Sequence, residues 1–349
     1  MAQLREIAAQ AGVSICTASK IINRAPGWQA YSTACIARVR QVAAQMGYRR
    51  NYFATALQTG RSDAIGMVVP QLDVRDMHNG FTAAMICGVE IGARDAGCHF
   101  VMTGPNAAGD VLASSLQFLD EGRVDGLIVP AFLCHGAQLR ALERIRKPIV
   151  VVGDCAPTSL PVVTLDHAAG IARAVTHLHR LGHRRVWWCG PHQAGSVERL
   201  RYRAFSAATR RLGMACERLA VHLPPGGAIT DVIAAARQAV SQRAARPVRA
   251  TAAVCYNETI ALGLYDGLRD CGLTVPRGMS VIGFDDIYAC IASPPMTVVS
   301  HMLDTMGMQA VRLIISMRAG EAAWQTARKR RVVVIPKLII RASTARVTP

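Results

Sequence analysis

The chain has 349 residues, 51% of them hydrophobic, with a formal net charge of +17 and a pI near 10.0. That length can fold as two or three domains around a sizeable core, and no run of about 18 apolar residues offers a membrane span. The positive balance fits a polyanionic partner, most simply DNA, the bland alternative being an Arg-rich habit of composition. Residues 1–62 hold eight Arg or Lys against Glu6 alone, a local +7, so much of the excess lies elsewhere. Eleven Cys, an odd number with no Cys-x-x-Cys pair, read as reduced thiols. With no charged-then-apolar leader at the start, the expected location is the cytoplasm.

Taken in order, the chain begins with two short helices around a tight turn. Leu4, Ile7 and Ala8 repeat at helical spacing and Ala11 leads into Gly12. Gly12 can take the left-handed backbone that ends a helix, and Ser14 can cap the next one through its hydroxyl. Ala18, Ile21 and Ile22 give that second helix an apolar side. This is a helix-turn-helix pattern, although any αα-hairpin can share it. A loop with Pro26 and Gly27 follows. Ser32 then caps a third helix running to about Met46, with Ile36, Val39, Ala43 and Met46 facing inward. Gly47 stops it.

From Asp63 the texture changes. Strand 64–70, helix 80–96, strand 99–104, helix 110–121, strand 125–130, helix 136–145, strand 148–153 and VVTLD (162–166) alternate. The alternation resumes with helix 168–181, strand 185–190, helix 197–212, strand 217–223, helix 229–243, strand 251–257, helix 258–271 and strand 280–286. Apolar strands alternating with amphipathic helices mean βαβ units and parallel sheets. Two successive sets predict two similar lobes with a cleft lined by the loops after the strands. Trp187 and Trp188 read as core. His177 and His179 lie about 200° apart on a helix, so they cannot easily share a metal with His183, and no metal or cofactor is expected. The run 327–331, ARKRR, is either a nucleic-acid patch or a solvated turn.

IAAQAGVSxxTxSKIIN closely resembles the A-G-V-S-x-x-T-V-S-R-x-L-N segment of the lactose/galactose-repressor family of bacterial transcription factors. Ala11, Gly12, Val13, Ser14, Thr17, Ser19 and Asn23 match, while Lys20 replaces Arg and Ala18 replaces Val. NYFATALQTGR (51–61) resembles the family hinge N-x-x-A-R-x-L-x-T-G-R through Asn51, Ala54, Leu57, Thr59, Gly60 and Arg61. Arg50 stands where the family has Pro, and Thr55 where it has Arg. The likeness extends through IGMVVP, RVDGLIV, LxxLGHRRV, SVIGFDD and SPPMTVVSHMLDTMGMQAV to VVVIPKLIIRAST, which looks like the family's final strand and R-x-S-T ending. It covers almost the whole chain.

The resemblance implies an all-α helix-turn-helix headpiece at 1–48, a hinge at 49–62 and, at 63–349, a core of two parallel-sheet lobes similar to a periplasmic binding protein. The chain would cross between lobes more than once, the last strands completing the lobes out of order. The implied function is a dimeric repressor on a near-palindromic double-stranded DNA operator, governed by a small molecule such as a sugar or sugar acid. It implies no enzyme. Base reading would fall to Ile15 and Cys16, after Ser14, and to Lys20. Neither Ile15 nor Cys16 can hydrogen-bond a base edge bidentately; Ile15 can touch a thymine methyl or pack inward. Lys20 reads a base or holds a phosphate, and Thr17 and Ser19 suit phosphates. In the hinge, Leu57 would wedge between central base pairs, or pack as part of an ordinary linker helix.

In the core, Arg201 of SVERLRYRAF matches the family's effector-binding Arg, whose planar fork can grip two hydroxyls or a carboxylate; a solvated helix Arg is the alternative. Asn257 and Glu258 stand where the family has Asn-Asp, and Asp285, more than Asp286, ends strand GFDD. Asp154 is a weaker candidate of the same kind. Each can accept from ligand hydroxyls or serve as a cap or turn residue. The loop at 71–81, QLDVRDMHNGF, departs from the family's N-P-F-F and leaves Phe81 as its one aromatic, so a polar effector and no effector both stay open. A solute-binding protein would leave residues 4–61 without a use. A sugar-handling α/β enzyme lacks a G-x-G-x-x-G, a P-loop and a nucleophile–base set.

Overall fold

The computed structural model describes residues 3–23, 25, 27–48, 56, 59–69, 80–104, 110–134, 136–193, 195–224, 228–244, 247–328 and 330–347. The hinge candidates Asn51, Ala54 and Leu57, and loop residues 71–79, lie outside them. The chain divides into two compact units, residues 1–63 with 122–125, and residues 64–121 with 126–349.

In the first unit, α1 (Leu4–Gln10), α2 (Ile15–Asn23) and α3 (Thr33–Gln45) form a three-helix cluster. Gly12 adopts φ +63°, where a side chain would be strained, and makes the tight turn between α1 and α2. The Ser14 hydroxyl accepts the Thr17 N–H at 3.0 Å, and Ser32 caps α3 by accepting the Cys35 N–H at 3.2 Å. Ile7, Ala8, Ala11, Ala18, Ile21, Val39 and Val42 form the buried core. Val42 goes deeper than the expected Ala43 and Met46, which are partly buried. Arg38 reaches across and donates from Nε to the Ala11 carbonyl at 2.8 Å, satisfying the open end of α1.

The second unit holds two six-stranded sheets. In chain order its first elements are β1 (Ala64–Val68), α4 (Gly80–Asp95), β2 (His99–Thr103), α5 (Val111–Asp120), β3 (Gly126–Pro130), α6 (Ala137–Glu143), β4 (Ile149–Val152) and β5 (Val162–Leu165). Then come α7 (His167–Arg180), β6 (Arg185–Pro191), α8 (Ser196–Arg211), β7 (Ala215–Val221), α9 (Ile229–Ala244), β8 (Ala252–Cys255), α10 (Glu258–Asp270) and β9 (Ser280–Asp285). β10 (Thr297–Ser300), α11 (Leu303–Met317), α12 (Glu321–Ala327), β11 (Arg331–Val334) and β12 (Lys337–Ile339) complete it. Strand order is β11-β5-β4-β3-β1-β2 in the first lobe and β12-β10-β9-β8-β6-β7 in the second. Every pairing is parallel except β10–β12. β1, β3, β4, β5 and β8 are buried along their whole length, as sheets covered on both faces require. Trp187 and Trp188 are fully buried.

The lobes exchange segments three times. β5 of the first sheet leads into α7, which packs on the second. β10 of the second sheet leads into α11, which packs on the first. The tail, read from sequence as one final strand, is two: β11 pairs with β5, the chain crosses at Ile335–Pro336, and β12 pairs antiparallel with β10. Pro336 has no N–H for a ladder, which suits a break there. At the α4–α11 contact the backbones come close: a Cβ on Gly88 would lie 2.2 Å from the Asp304 carbonyl oxygen. No helix among the described residues is long and apolar enough to cross a membrane.

Candidate functional site

On the first unit, Ser14 just before α2 and Ile15, Cys16 and Lys20 on it are exposed to solvent. Ile15 is 49% exposed, so it packs outward. Thr17, Ser19 and Asn23 are half-buried: the Ser14 and Thr17 hydroxyls meet at 2.9 Å, and Asn23 Nδ2 donates to the Ser19 hydroxyl at 3.1 Å while its Oδ1 has no partner among the described residues. These bonds hold one helical face in fixed rotamers beside an uncharged apolar patch and a single ammonium. Such a face can touch a thymine methyl and pair with one base or phosphate. The exposed Cys16 adds only a weak donor.

In the second unit the two sheets meet over a buried polar chain. Asp154, just after β4, accepts from the Thr164 hydroxyl at 2.7 Å and pairs with His167 Nε2 at 2.5 Å. Arg201 Nε donates to His167 Nδ1 at 3.1 Å, and Arg201 Nη1 donates to the Tyr256 carbonyl at 2.5 Å. Nη2 faces Asp285 Oδ1 at 3.9 Å, and Asp285 Oδ1 pairs with His301 Nδ1 at 2.9 Å. The guanidinium lies over the Phe284 ring, 3.5 Å from its centroid. Arg201 is therefore buried, 3% exposed, and not the solvated helix Arg of the bland reading. Burial lowers its affinity for its proton, and Asp285, Tyr256 and Asp154 oppose that loss. Burial would raise Asp154, but the bonds from His167 and Thr164 outweigh it and its carboxyl falls below the ordinary value.

A cavity of about 400 Å³ opens above this chain, lined by Arg201, Asn257, Glu258, Asp285 and His301 and by the aromatics Phe81, Phe132, Tyr256 and Tyr288. The volume suits a small ligand. Asn257 caps α10, accepting the Ile260 N–H at 2.9 Å, so its oxygen is occupied by the helix. Glu258 is buried, and both its oxygens accept the Ile287 N–H at 2.9 Å. Burial, with Asp285 and Asp286 nearby, pushes its carboxyl up to about 7. Asp285 and Asp286 adopt φ +114° and +75°, a strained backbone for residues with side chains. Asp286 is drawn off to Arg341 at 2.7 Å, so of these two aspartates Asp285 is the one that lines the cavity. Asp154 is not among the lining residues and pairs with His167 Nε2.

The His177 and His183 side chains are bonded within the fold. His177 meets the Thr344 hydroxyl at 3.0 Å, and His183 is held by Thr251, Ser280 and the Ala345 carbonyl. Of the run 327–331, Arg328 ends α12 and bonds the Glu143 carbonyl, and Arg331 opens β11, so it spans a helix end and a strand start.

A family model for bacterial regulatory proteins of the lacI family matches residues 3–51, and one for a periplasmic binding protein-like domain matches residues 175–344. The HTH-type transcriptional regulator MalR of Streptomyces coelicolor is 29% identical over 98% of this chain and 96% of its own. GalR of Escherichia coli is 29% identical over 91% and 89%, and the E. coli ribose operon repressor 26% over 90% and 92%. The chain belongs to the lactose/galactose-repressor family.

Solved structures share the family's fold. A lac repressor dimer bound to operator and the anti-inducer ONPF superposes with TM-score 0.72 at 21% identity, covering 99% of both chains. A CelR–cellobiose complex gives 0.64 at 24%, covering 98% of this chain and 100% of that one. A family regulator from Enterococcus faecium with bound ribose gives 0.63 at 21%, covering 82% of this chain and 100% of that one. Within this family member, sequence reasoning missed His167, His301, Phe132 and Tyr288 at the cleft. Phe81, the one aromatic it found, sits edge-on to His301 at 5.1 Å between centroids. His167 directly follows the Asp166 helix cap and His301 directly follows β10, positions after strands that could have flagged them.

Proposed function

We propose that the protein is a sequence-specific DNA-binding transcriptional repressor, cytoplasmic and dimeric, switched by a small molecule in the cleft. One observation carries it: a capped helix-turn-helix with an outward α2 face belongs to the same chain as a two-lobed core whose cavity gathers Arg201 and Asp285. The relatives supply the pattern, since they include a ribose operon repressor and structures with cellobiose, ribose and operator bound. The chain acts through binding and not through turnover. Its domains run 1–48, 49–62 and 63–349. Ser14, Ile15, Cys16, Thr17, Ser19, Lys20 and Asn23 meet the major groove. Asn51, Ala54 and Leu57 meet the minor groove, with Leu57 as the wedge.

Arg201, Asp285, Asn257 and Glu258 line the effector site, backed by Asp154. Arg201 engages Nε with His167 and Nη1 with Tyr256, so the side-on Nε/Nη2 fork is taken and Nη2 is the nitrogen left nearest Asp285. The hydroxyls of a neutral sugar fit the remaining groups better than a sugar acid does. Ligand would change the angle between lobes, limited by its differential affinity for the two states. The test is selection from random duplexes, then titration of the winner at two salt concentrations. A near-palindromic winner bound far above bulk DNA supports the reading; binding that is only salt-sensitive, with no enrichment, overturns it.

A further inference from the structure

Two of the three segments that cross between the lobes carry a histidine at the crossing. His167 stands where β5 gives way to α7, and His301 where β10 gives way to α11. Arg201 Nε donates to His167 Nδ1 at 3.1 Å, and its Nη2 lies 3.5 Å from His301 Nδ1, a contact only, since that nitrogen pairs with Asp285 at 2.9 Å. The third crossing is tied to the first, because Arg173 on α7 donates to the Pro336 carbonyl at 2.8 Å. Gly170 also lets α7 approach Pro336, where a Cβ would come within 2.7 Å of the ring. Arg201 and Arg173 therefore both bond residues at the crossings between the lobes.

The hydrogen bonds fix the chemistry of His167. An arginine Nε–H can only donate, so His167 Nδ1 must be the acceptor and carry no proton. The proton of the neutral ring then sits on Nε2 and is donated to Asp154 Oδ2. An imidazolium would point a second N–H at the guanidinium and break the pair. We propose that His167, uncharged and protonated on Nε2, is the positioning residue for Arg201. It relays Asp154 of the first lobe to the guanidinium of the second. That Arg201 grips an effector rests on the reading above; the role of His167 in seating Arg201 does not.

The surroundings keep the ring neutral. Burial disfavours its charged form first of all, and Arg201 and the His301 ring, 5.9 Å away between centroids, add to this. Asp154 alone pulls the other way, through its bond and its charge, and the imidazole still ends below its ordinary value. Asp285, the other carboxylate of the chain, is paired with His301. Acid that protonates His167 would release Arg201 from the first crossing.

The test uses the full-length chain with ¹⁵N in its histidine and arginine side chains. At pH 7.5 one imidazole, identified by its loss in His167→Gln, should show a bare Nδ1 and a protonated Nε2. One arginine Nε–H, identified by its loss in Arg201→Lys, should exchange with water about tenfold or more slowly than exposed arginines. The Gln amide can donate to Asp154 and accept from Arg201, so His167→Gln should keep that protection. His167→Leu, with no acceptor, should lose about tenfold of it while amides in α1–α3 keep theirs. On acidification the tautomer and the protection should vanish together. A protonated Nδ1 at pH 7.5, protection lost in the Gln variant, or protection unchanged in the Leu variant overturns the proposal; should the Leu variant not fold, the wild-type tautomer and the Gln variant decide it. The effector reading fails separately, if Arg201→Lys responds to a sugar panel of ribose, glucose and cellobiose as wild type does.

Discussion

Both oxygens of the Glu258 carboxylate accept the backbone N–H of Ile287 at 2.9 Å. One buried side chain at the start of α10 thus pins the loop that follows β9, next to the strained Asp285 and Asp286. The cost is an acid held in low dielectric near two others.

That cost predicts a pH signature. Folded Glu258 keeps its proton up to about 7, whereas its ordinary value is 4.5. The contribution to stability is therefore full below 4.5, declines as pH rises, and is gone above about 7. Wild-type stability should fall by about 3 kcal/mol across that window relative to Glu258→Gln, which cannot ionise. Urea unfolding at pH 4.5, 6 and 8 reads the difference; parallel curves would remove Glu258 as the source.

The α4–α11 contact predicts sensitivity to a single methyl. A Cβ on Gly88 meets the Asp304 carbonyl at 2.2 Å, and one on Gly307 meets the Val89 nitrogen at 2.7 Å. Both obstacles are backbone and cannot rotate away. Gly88→Ala should cost about 3 kcal/mol, at the upper end of overpacking. Thermal unfolding checks it, and a melting point equal to wild type would show that the helices can part freely.

Trp188 tests the core of the second lobe. Its indole N–H donates to Glu198 Oε1 at 3.2 Å and its ring lies 5.4 Å from that of Phe205. Trp188→Phe keeps most of the apolar bulk but removes the donor, and should cost about 1–3 kcal/mol. Trp188→Ala opens a cavity and should cost about 3–5 kcal/mol. Denaturant midpoints order the two; equal losses would mean that the hydrogen bond, not the volume, dominates.

For the α2 face, Lys20→Ala should weaken binding to the selected duplex by about 1–3 kcal/mol and relax one base position. A uniform loss on every sequence, with the salt slope reduced by about 1, would assign Lys20 to a phosphate instead. Ser14→Ala should destabilise α2 by about 1 kcal/mol through loss of its cap, read as faster amide exchange at Thr17.

Much of the architecture was legible because local rules agree with the fold. Gly12, Ser14 and Ser32 sit where turn and cap chemistry demands them. The alternating strands and helices recur within a few residues of their expected limits. The tail misled: a nearly unbroken apolar run reads as one strand, yet Pro336 divides it between two sheets. At the cleft, motif likeness points to Arg201 and the end of strand GFDD points to Asp285, and the structure brings the two within 3.9 Å. His167 and His301 stand just after strands, a signal of place only, because a lone His in a sequence carries no sign of its partners. Asp154 and Arg201, 47 residues apart in sequence, show only in three dimensions that they share His167.

By itself, then, the sequence determined the helix-turn-helix, the βα alternation and the family, since each rests on residue spacing within one element or one motif. Only the tertiary structure decided which sheet each late strand joins, that Glu258 holds a loop and that Arg201 is bonded to His167 and Tyr256. Those facts depend on which groups are desolvated together, and burial, unlike periodicity, is a property of the assembled chain.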